Sequence, residues 1–289
     1  MPELPEVETI ARGLARRVTG DVIESVWLGS KPEPLKSAAS EIVATLESKR
    51  IAGVRRVGKH IVFDLGNGGR ASSPISRKSR QKSSKVPVPS SVTSQWIVHL
   101  GMTGRMLVCK PDQVIEKHTH AVARLASGRE LRFVDPRRFG RLSVAHGFEA
   151  AGSEPLEVEL NRFVELFRGR KTPIKSALLN QKLLSGVGNI YADESLFRAR
   201  IRPRRRASSL TLQELPRLYV TVREVLKEAI ALGGSSVSDY VDADGEEGFF
   251  QLQHRVYGRE GEPCLVCKSP IKRVVIGGRS SHYCPKCQK

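Results

Sequence analysis

Four of the five cysteines fall near the end of the chain, as Cys264-x-x-Cys267 and Cys284-x-x-Cys287, with sixteen residues between the pairs. A CxxC turn aims two thiolates at one point, and two such turns complete a tetrahedral sulfur shell. In a reducing compartment that spacing reads as a metal site and not as a disulfide framework. The intervening "PIKRVVIGGRSSHYC" alternates like a hairpin. The C-terminus is therefore expected to be a zinc ribbon closed around one structural Zn²⁺. All four positions go to cysteine, which leaves no place for catalytic water. A redox or iron–sulfur site is the competing reading. The fifth cysteine, Cys109, reads as a small buried apolar residue. His282 lies inside the finger, but four thiolates already suffice. Arg279 stands at the expected hairpin tip, after Gly277 and Gly278. A bare ribbon needs no arginine there, although a solvated loop charge is the plain alternative.

A chain of 289 residues has room for two domains, each with its own core. Lysine and arginine total 48 against 30 acids, a net charge of +18. Such a field draws polyanions, and neutralising phosphates releases counterions. Nucleic acid is the expected partner, with a merely solubilising surface as the alternative. A membrane is not expected, because no apolar run is long enough to span one and no basic amphipathic helix is flanked by aromatics. No basic n-region precedes an apolar stretch at the start, so the expected location is the cytoplasm.

Residues 3–19 read as a helix, with Leu4, Val7, Ile10, Ala11 and Leu14 at helical spacing and Pro5 in the first turn. Strand-like runs such as "VIESVWL" and "HIVFDL" fill 22–65, around a helical interlude near 39–48. Residues 70–94 hold six basic residues, no acid, many serines and three prolines. That composition cannot bury a core, and the segment is expected to be a disordered basic insertion between two strands. "QWIVHLGM", "RMLVC", "AVARLA", "ELRFVD" and "RLSVA" continue the strand pattern and suggest a β-sandwich or barrel. Helices dominate after about residue 155, which puts a boundary at about 147–156. "GVGN" feeds the helical "IYADESLF". A glycine turn opening a helix exposes backbone N–H groups that bind phosphate, although tight helix–helix turns use glycine too. The basic residues around it, Arg168, Arg170, Lys171, Lys175, Lys182 and the run "RARIRPRRR", favour phosphate.

The chain opens on "MPELPEVET". A terminal α-amine is less basic than lysine, and the small residue after Met1 permits removal of the initiator. Pro2 would then carry a secondary amine. Its adduct with a sugar C1′ is a permanent iminium cation, which acidifies the C2′ proton and drives β-elimination of the 3′ phosphate; a second elimination can release the 5′ phosphate. Glu3 stands beside it as a general acid or base, and Glu6, one helical turn on, faces the same way. The ordinary alternative is that prolines and acids simply begin many helices.

Together "MPELPEVET", "HLGMTGR", "DPRRFG", "GVGNIYADE", "VYGREGEPC" and the terminal CxxC pairs resemble the bacterial formamidopyrimidine-DNA glycosylase family, over essentially the whole chain apart from 70–94. The resemblance implies an α+β fold: an N-terminal helix plus β-sandwich over 1–149, a helix-two-turn-helix domain over 150–254 and a zinc finger over 255–289. It implies a monomeric base-excision repair enzyme that removes 8-oxoguanine and formamidopyrimidines from damaged double-stranded DNA and nicks the strand. By the same resemblance Pro2 is the Schiff-base nucleophile, Glu3 the general acid for base loss and Glu6 a supporting carboxylate. Lys59 matches a phosphate-contacting lysine with a proton-donor role in β-elimination, and Arg279 the finger arginine assigned to δ-elimination. His118, Arg137, Arg170 and Asn189 match DNA contacts, with arginine at 170 where lysine is usual. Met102, Arg137 and Phe139 resemble the trio that fills the gap left by an extruded base; core packing is the alternative for Met102 and Phe139. The 235–250 loop is expected to be mobile and to cover the flipped base. The rival readings are an endonuclease VIII-like glycosylase for oxidised pyrimidines and a non-enzymatic zinc-ribbon DNA binder.

Overall fold

The computed structural model describes residues 1–67, 92–236 and 248–289. Helix α1, Leu4–Val18, buries the stripe of Leu4, Val7, Ile10, Leu14 and Val18. That stripe is what the helical spacing predicts. Two four-stranded antiparallel sheets follow. One has the order β2 (Lys49–Val57), β3 (His60–Asn67), β4 (Val92–His99), β8 (Arg141–Ala145). The other has the order β1 (Ile23–Leu28), β6 (Thr119–Leu125), β7 (Glu130–Val134), β5 (Arg105–Cys109). Phe63, Trp96 and Leu142 of the first sheet share one core with Ile23, Ala123 and Phe133 of the second, joined by Ile10 and Leu14 of α1 and by Ile42 and Leu46 of helix α2, Ala39–Leu46. This is the expected sandwich.

Of the segment expected to be disordered, residues 92–94 are instead the first residues of β4, where Ser94 pairs with Leu65. Their polar composition hides a strand because the buried polar groups further along find partners. Gln95 donates to Asp64 at 2.7 Å and accepts from the Phe148 N–H at 2.6 Å. Residues 70–91 of that expectation lie outside the described residues. Cys109 is half-buried on β5 and not a core residue.

The second half is helical: α3 (Leu160–Phe167), α4 (Ile174–Leu178), α5 (Asn189–Arg198) and α6 (Glu214–Ala231). Their core, with Phe163, Tyr191, Leu218 and Phe250, takes in Leu4 from the start of α1. The first turn of α1 thus belongs to both halves. A buried arginine adds to this junction: Arg56 on β2 donates to Glu8 of α1 at 2.8 Å and grips Glu154 with both terminal nitrogens at 2.8 and 2.9 Å.

Strands β9 (Lys272–Ile276) and β10 (Arg279–Tyr283) form the terminal hairpin. Gly277 and Gly278 turn it at φ 55 and 74°, which side chains rarely adopt. The hairpin docks on the helices through fully buried charges. Lys175 of α4 pairs with Asp193 of α5 at 2.6 Å and donates to the Ser280 carbonyl at 2.6 Å, while Asp193 accepts from the His282 N–H at 2.8 Å. A buried pair of this kind fixes register more than it adds stability, and here it fixes the residue beside Arg279.

Candidate active site

Where the two halves meet there is a cleft of about 540 Å³. Pro2, Glu3, Glu6, Lys59, Asn189 and Arg279 all line it, with Met102 at its edge. Residues from the chain start, the β2–β3 turn, the α5 N-terminus and the hairpin tip therefore converge on one space.

Glu3 precedes α1 and is only 4% exposed. One carboxyl oxygen accepts from the Ile190 N–H at the start of α5, at 3.2 Å. The other has no hydrogen-bond partner. Burial pushes its pKa up to about 7, against the opposing pull of Lys59. The glycines of "GVGN" explain how it fits. A Cβ on Gly188 would lie 2.1 Å from the Glu3 carboxyl carbon, and one on Gly186, at φ 94°, would lie 2.9 Å from the Leu4 side chain. The glycine turn is thus shaped around the N-terminus: the Gly186 carbonyl accepts from the Leu4 N–H at 3.0 Å, and the Ile190 N–H just beyond the turn is taken by Glu3.

Glu6 accepts from the Glu3 N–H at 2.8 Å, from the Ser235 N–H at 2.8 Å and from the Tyr191 hydroxyl. It orients the chain start and keeps no oxygen free for other work. Burial raises its pKa as well. Burial likewise lowers that of Lys59, although Glu3 and Glu6 oppose the shift. The terminal amine, carried by Met1 here, is also pushed down by burial, against Glu3 and Glu6. A buried carboxyl with a raised pKa beside the chain start is suited to donate a proton at neutral pH.

Met102 and Phe139 are 42% and 47% exposed, so neither is a core residue. Arg137 lies over the Phe139 ring, 4.9 Å from its centre. Their two loops are locked together. Asp135, fully buried, accepts from the Thr103 hydroxyl at 2.6 Å, the Arg137 N–H at 3.2 Å and the Gly140 N–H at 2.7 Å. Gly101, at φ 64°, would clash through any Cβ with Gly140 at 2.5 Å. His118 and Arg170 do not line the cleft. His118 is exposed just before β6, and Arg170 is exposed in the α3–α4 turn, where its Nε donates to the Leu166 carbonyl.

Sequence reasoning missed Asp135, Tyr191, Ser235 and Tyr257, the last two also lining the cleft. Asp135, Tyr191 and Tyr257 stand inside the quoted "DPRRFG", "GVGNIYADE" and "VYGREGEPC", while Ser235 stands in none of them. Most of the 235–250 loop, residues 237–247, lies outside the described residues. Its described ends are anchored, at buried Ser235 and Phe250.

The four cysteine sulfurs lie within 4.8 Å of one another, with Cys267 and Cys284 3.4 Å apart and Cys264 and Cys287 3.9 Å apart. Tetrahedral zinc with bonds of about 2.3 Å sets sulfurs about 3.8 Å apart, so the shell fits one Zn²⁺. The Cys287 N–H also points to the Cys284 sulfur at 3.3 Å. Beyond these sulfurs the finger core holds little more than Phe197, Val256 and Ile271. Chelation should therefore release one zinc per chain and unfold residues 261–289 while the sandwich persists. Metal titration alongside hydrogen exchange checks this; unchanged protection of the β9–β10 hairpin in the stripped protein would contradict it.

Among the described residues no helix is long and apolar enough to cross a membrane. Three family models match the chain. The formamidopyrimidine-DNA glycosylase N-terminal domain matches residues 1–142, the H2TH domain of the same enzyme 151–241, and the zinc finger found in FPG and IleRS 261–289. A formamidopyrimidine-DNA glycosylase of Solibacter usitatus is 42% identical, with the whole of both chains covered. The crystal structure of the MutM (Fpg) protein of Thermus thermophilus is 40% identical, covering 99% of this chain and 98% of that one, at a TM-score of 0.81. The Lactococcus lactis Fpg, in complex with DNA containing an abasic site, superposes over 99% of both chains at a TM-score of 0.84 and 31% identity.

Proposed function

The chain belongs to the formamidopyrimidine-DNA glycosylase family, and from that premise we propose that it excises oxidised purines from duplex DNA and nicks the strand through a Schiff base on Pro2. The observation that carries this reading is the pairing of Pro2 with a buried Glu3 that keeps one oxygen unbonded, in a cleft shared with Lys59 and Arg279.

Removal of Met1 frees the Pro2 nitrogen. Its lone pair attacks C1′, the glycosidic bond breaks, and the base leaves with that electron pair and a proton from Glu3. The protonated Glu3 required here is what a pKa of about 7 supplies. The sugar ring then opens: the Pro2 nitrogen gives up its N–H proton and pushes out the C1′–O4′ bond, O4′ takes the proton, and the resulting iminium draws electrons from C2′. Loss of the C2′ proton expels the 3′ phosphate, and a second elimination expels the 5′ phosphate. Lys59 and Arg279, both cationic and lining the cleft, are suited to holding those phosphates and protonating the departing groups. Asn189, His118 and Arg170 contact the backbone. Met102, Arg137 and Phe139 enter the duplex where the base has left: an exposed thioether, a cation and an aromatic ring replace lost stacking. In this reading 1–149 carries Pro2, Glu3 and Lys59, 150–254 grips the DNA, 255–289 brings Arg279 to the cleft, and one chain acts alone in the cytoplasm. The zinc is structural and takes no part in the reaction.

Comparing duplexes that carry 8-oxoguanine opposite cytosine with others that carry thymine glycol opposite adenine tests the substrate class. Cleavage at least about tenfold faster on the purine lesion is expected, about 1.4 kcal/mol of discrimination. The reverse preference would assign the chain to oxidised pyrimidines. Damage-dependent binding without scission would leave only a DNA-binding module.

A further inference from the structure

Helix α5 links the cleft to a second, basic hollow. Its first residue, Asn189, lines the cleft. Its last, Arg198, lines a second hollow of about 700 Å³ together with Arg200, Arg217, Arg255, Lys286 and Lys289, against a single acid, Glu214. Ten helical residues set the two ends about 15 Å apart.

The acids in and around this hollow are already occupied. Glu214 is held by Arg205 at 2.5 and 2.9 Å, and Arg198 is neutralised by Glu228 at 2.7 and 2.6 Å. Arg200, Arg255 and Lys286 have no carboxylate within ion-pair distance among the described residues. They come from three separate places: the turn after α5, the loop before the finger and the second CxxC turn. The fold itself brings them together. Arg200 stands at φ 58°, its N–H bonded to the Phe197 carbonyl at 3.0 Å and its carbonyl accepting from the Lys289 N–H at 3.1 Å. The negative end of the α5 dipole accounts for cations at 198 and 200. It does not account for Arg255 and Lys286, which arrive with the finger. Glu228 also feels the charge of Arg255, but converging cations outnumber the acids here and repel one another unless an anion sits among them.

We propose that this hollow binds the phosphate backbone of a second DNA segment while the cleft holds the first. Duplex DNA carries one negative charge per about 1.7 Å, so several phosphates can meet the three free cations at once. An acidic protein partner fits less well. Val266 is the one exposed large hydrophobic side chain of the lining, where such interfaces rely on several buried anchors. Holding two segments together lets the protein pass from one to the other during search.

The test counts undamaged duplexes of about 12 base pairs bound per chain, by native mass spectrometry and titration, in the zinc-loaded protein. The native chain is expected to take two. The triple variant Arg200→Gln, Arg255→Gln, Lys286→Gln should take one. The second binding step should show a log–log salt slope of about −3, near 0.9 per phosphate for three contacts. Lys286→Gln alone should reduce that slope by about 1, which keeps the test open should the triple variant fold poorly. Excision by the variants on an 8-oxoguanine duplex should stay within about twofold of native. One duplex per native chain would overturn the proposal, as would two on both proteins. So would a glutamate-rich peptide that fills the hollow when DNA does not. Normal duplex counts with no excision would instead overturn the catalytic reading and leave this one standing.

Discussion

A chain that keeps Met1, or any residue, ahead of Pro2 is expected to give no borohydride-reducible DNA adduct and to lose strand nicking on the order of 10³-fold or more, the scale on which removing a catalytic nucleophile acts. The reason is bonding. With Met1 in place the Pro2 nitrogen is an amide, its lone pair is delocalised into the carbonyl, and it cannot attack C1′. Met1 itself is half exposed, so an extra residue can be carried without disturbing the buried first turn of α1. DNA affinity should accordingly change by no more than about threefold, because none of the proposed phosphate contacts is touched. Pro2→Gly is a milder lesion. It leaves an amine, but a primary one whose imine can lose its proton, so the electron sink is no longer permanent and elimination slows. Blocked chains that still trapped DNA would move the nucleophile elsewhere.

Glu3→Gln should separate the two halves of the reaction. The amide keeps an oxygen for the Ile190 N–H and nearly the same volume, so the site retains its shape. It has no proton to give to a departing base. Excision of 8-oxoguanine is expected to fall by about 10²–10⁴, the usual contribution of a general acid. Nicking at a preformed abasic site, where no base leaves, should stay within about tenfold of native. The pH dependence follows from the same residue. Its pKa is raised from the ordinary carboxyl range to about 7, so the acid form dominates below that pH and is lost above it. Single-turnover excision should fall as pH rises through about 7. The acid limb belongs to the Pro2 amine, which must be neutral to attack. In Glu3→Gln the alkaline limb should vanish while the acid limb remains. An unchanged alkaline limb in the variant would assign it to another group, Lys59 being the nearest candidate.

The zinc shell was fully legible in the sequence, because CxxC geometry is local and all four ligands lie within a short span. The sandwich was legible because short strand-like runs broken by glycine-rich turns recur along the first half of the chain. What escaped was non-local. Tyr191 reaches Glu6 across 185 residues, and Ser235 across 229. No pattern near either end announces such a pair. The glycines of "GVGN" were visible, but half of their meaning was not. They admit the Glu3 carboxyl and the Leu4 side chain, which only the folded contact discloses. Residues 92–94 read as part of a polar insertion because strand pairing can override composition.

The most direct test is peptide mapping by mass spectrometry of the borohydride-reduced complex between the zinc-loaded protein and an 8-oxoguanine duplex. The sugar remnant should sit on the Pro2 nitrogen of a chain that has lost Met1. A remnant on Lys59 or any other lysine would contradict the account.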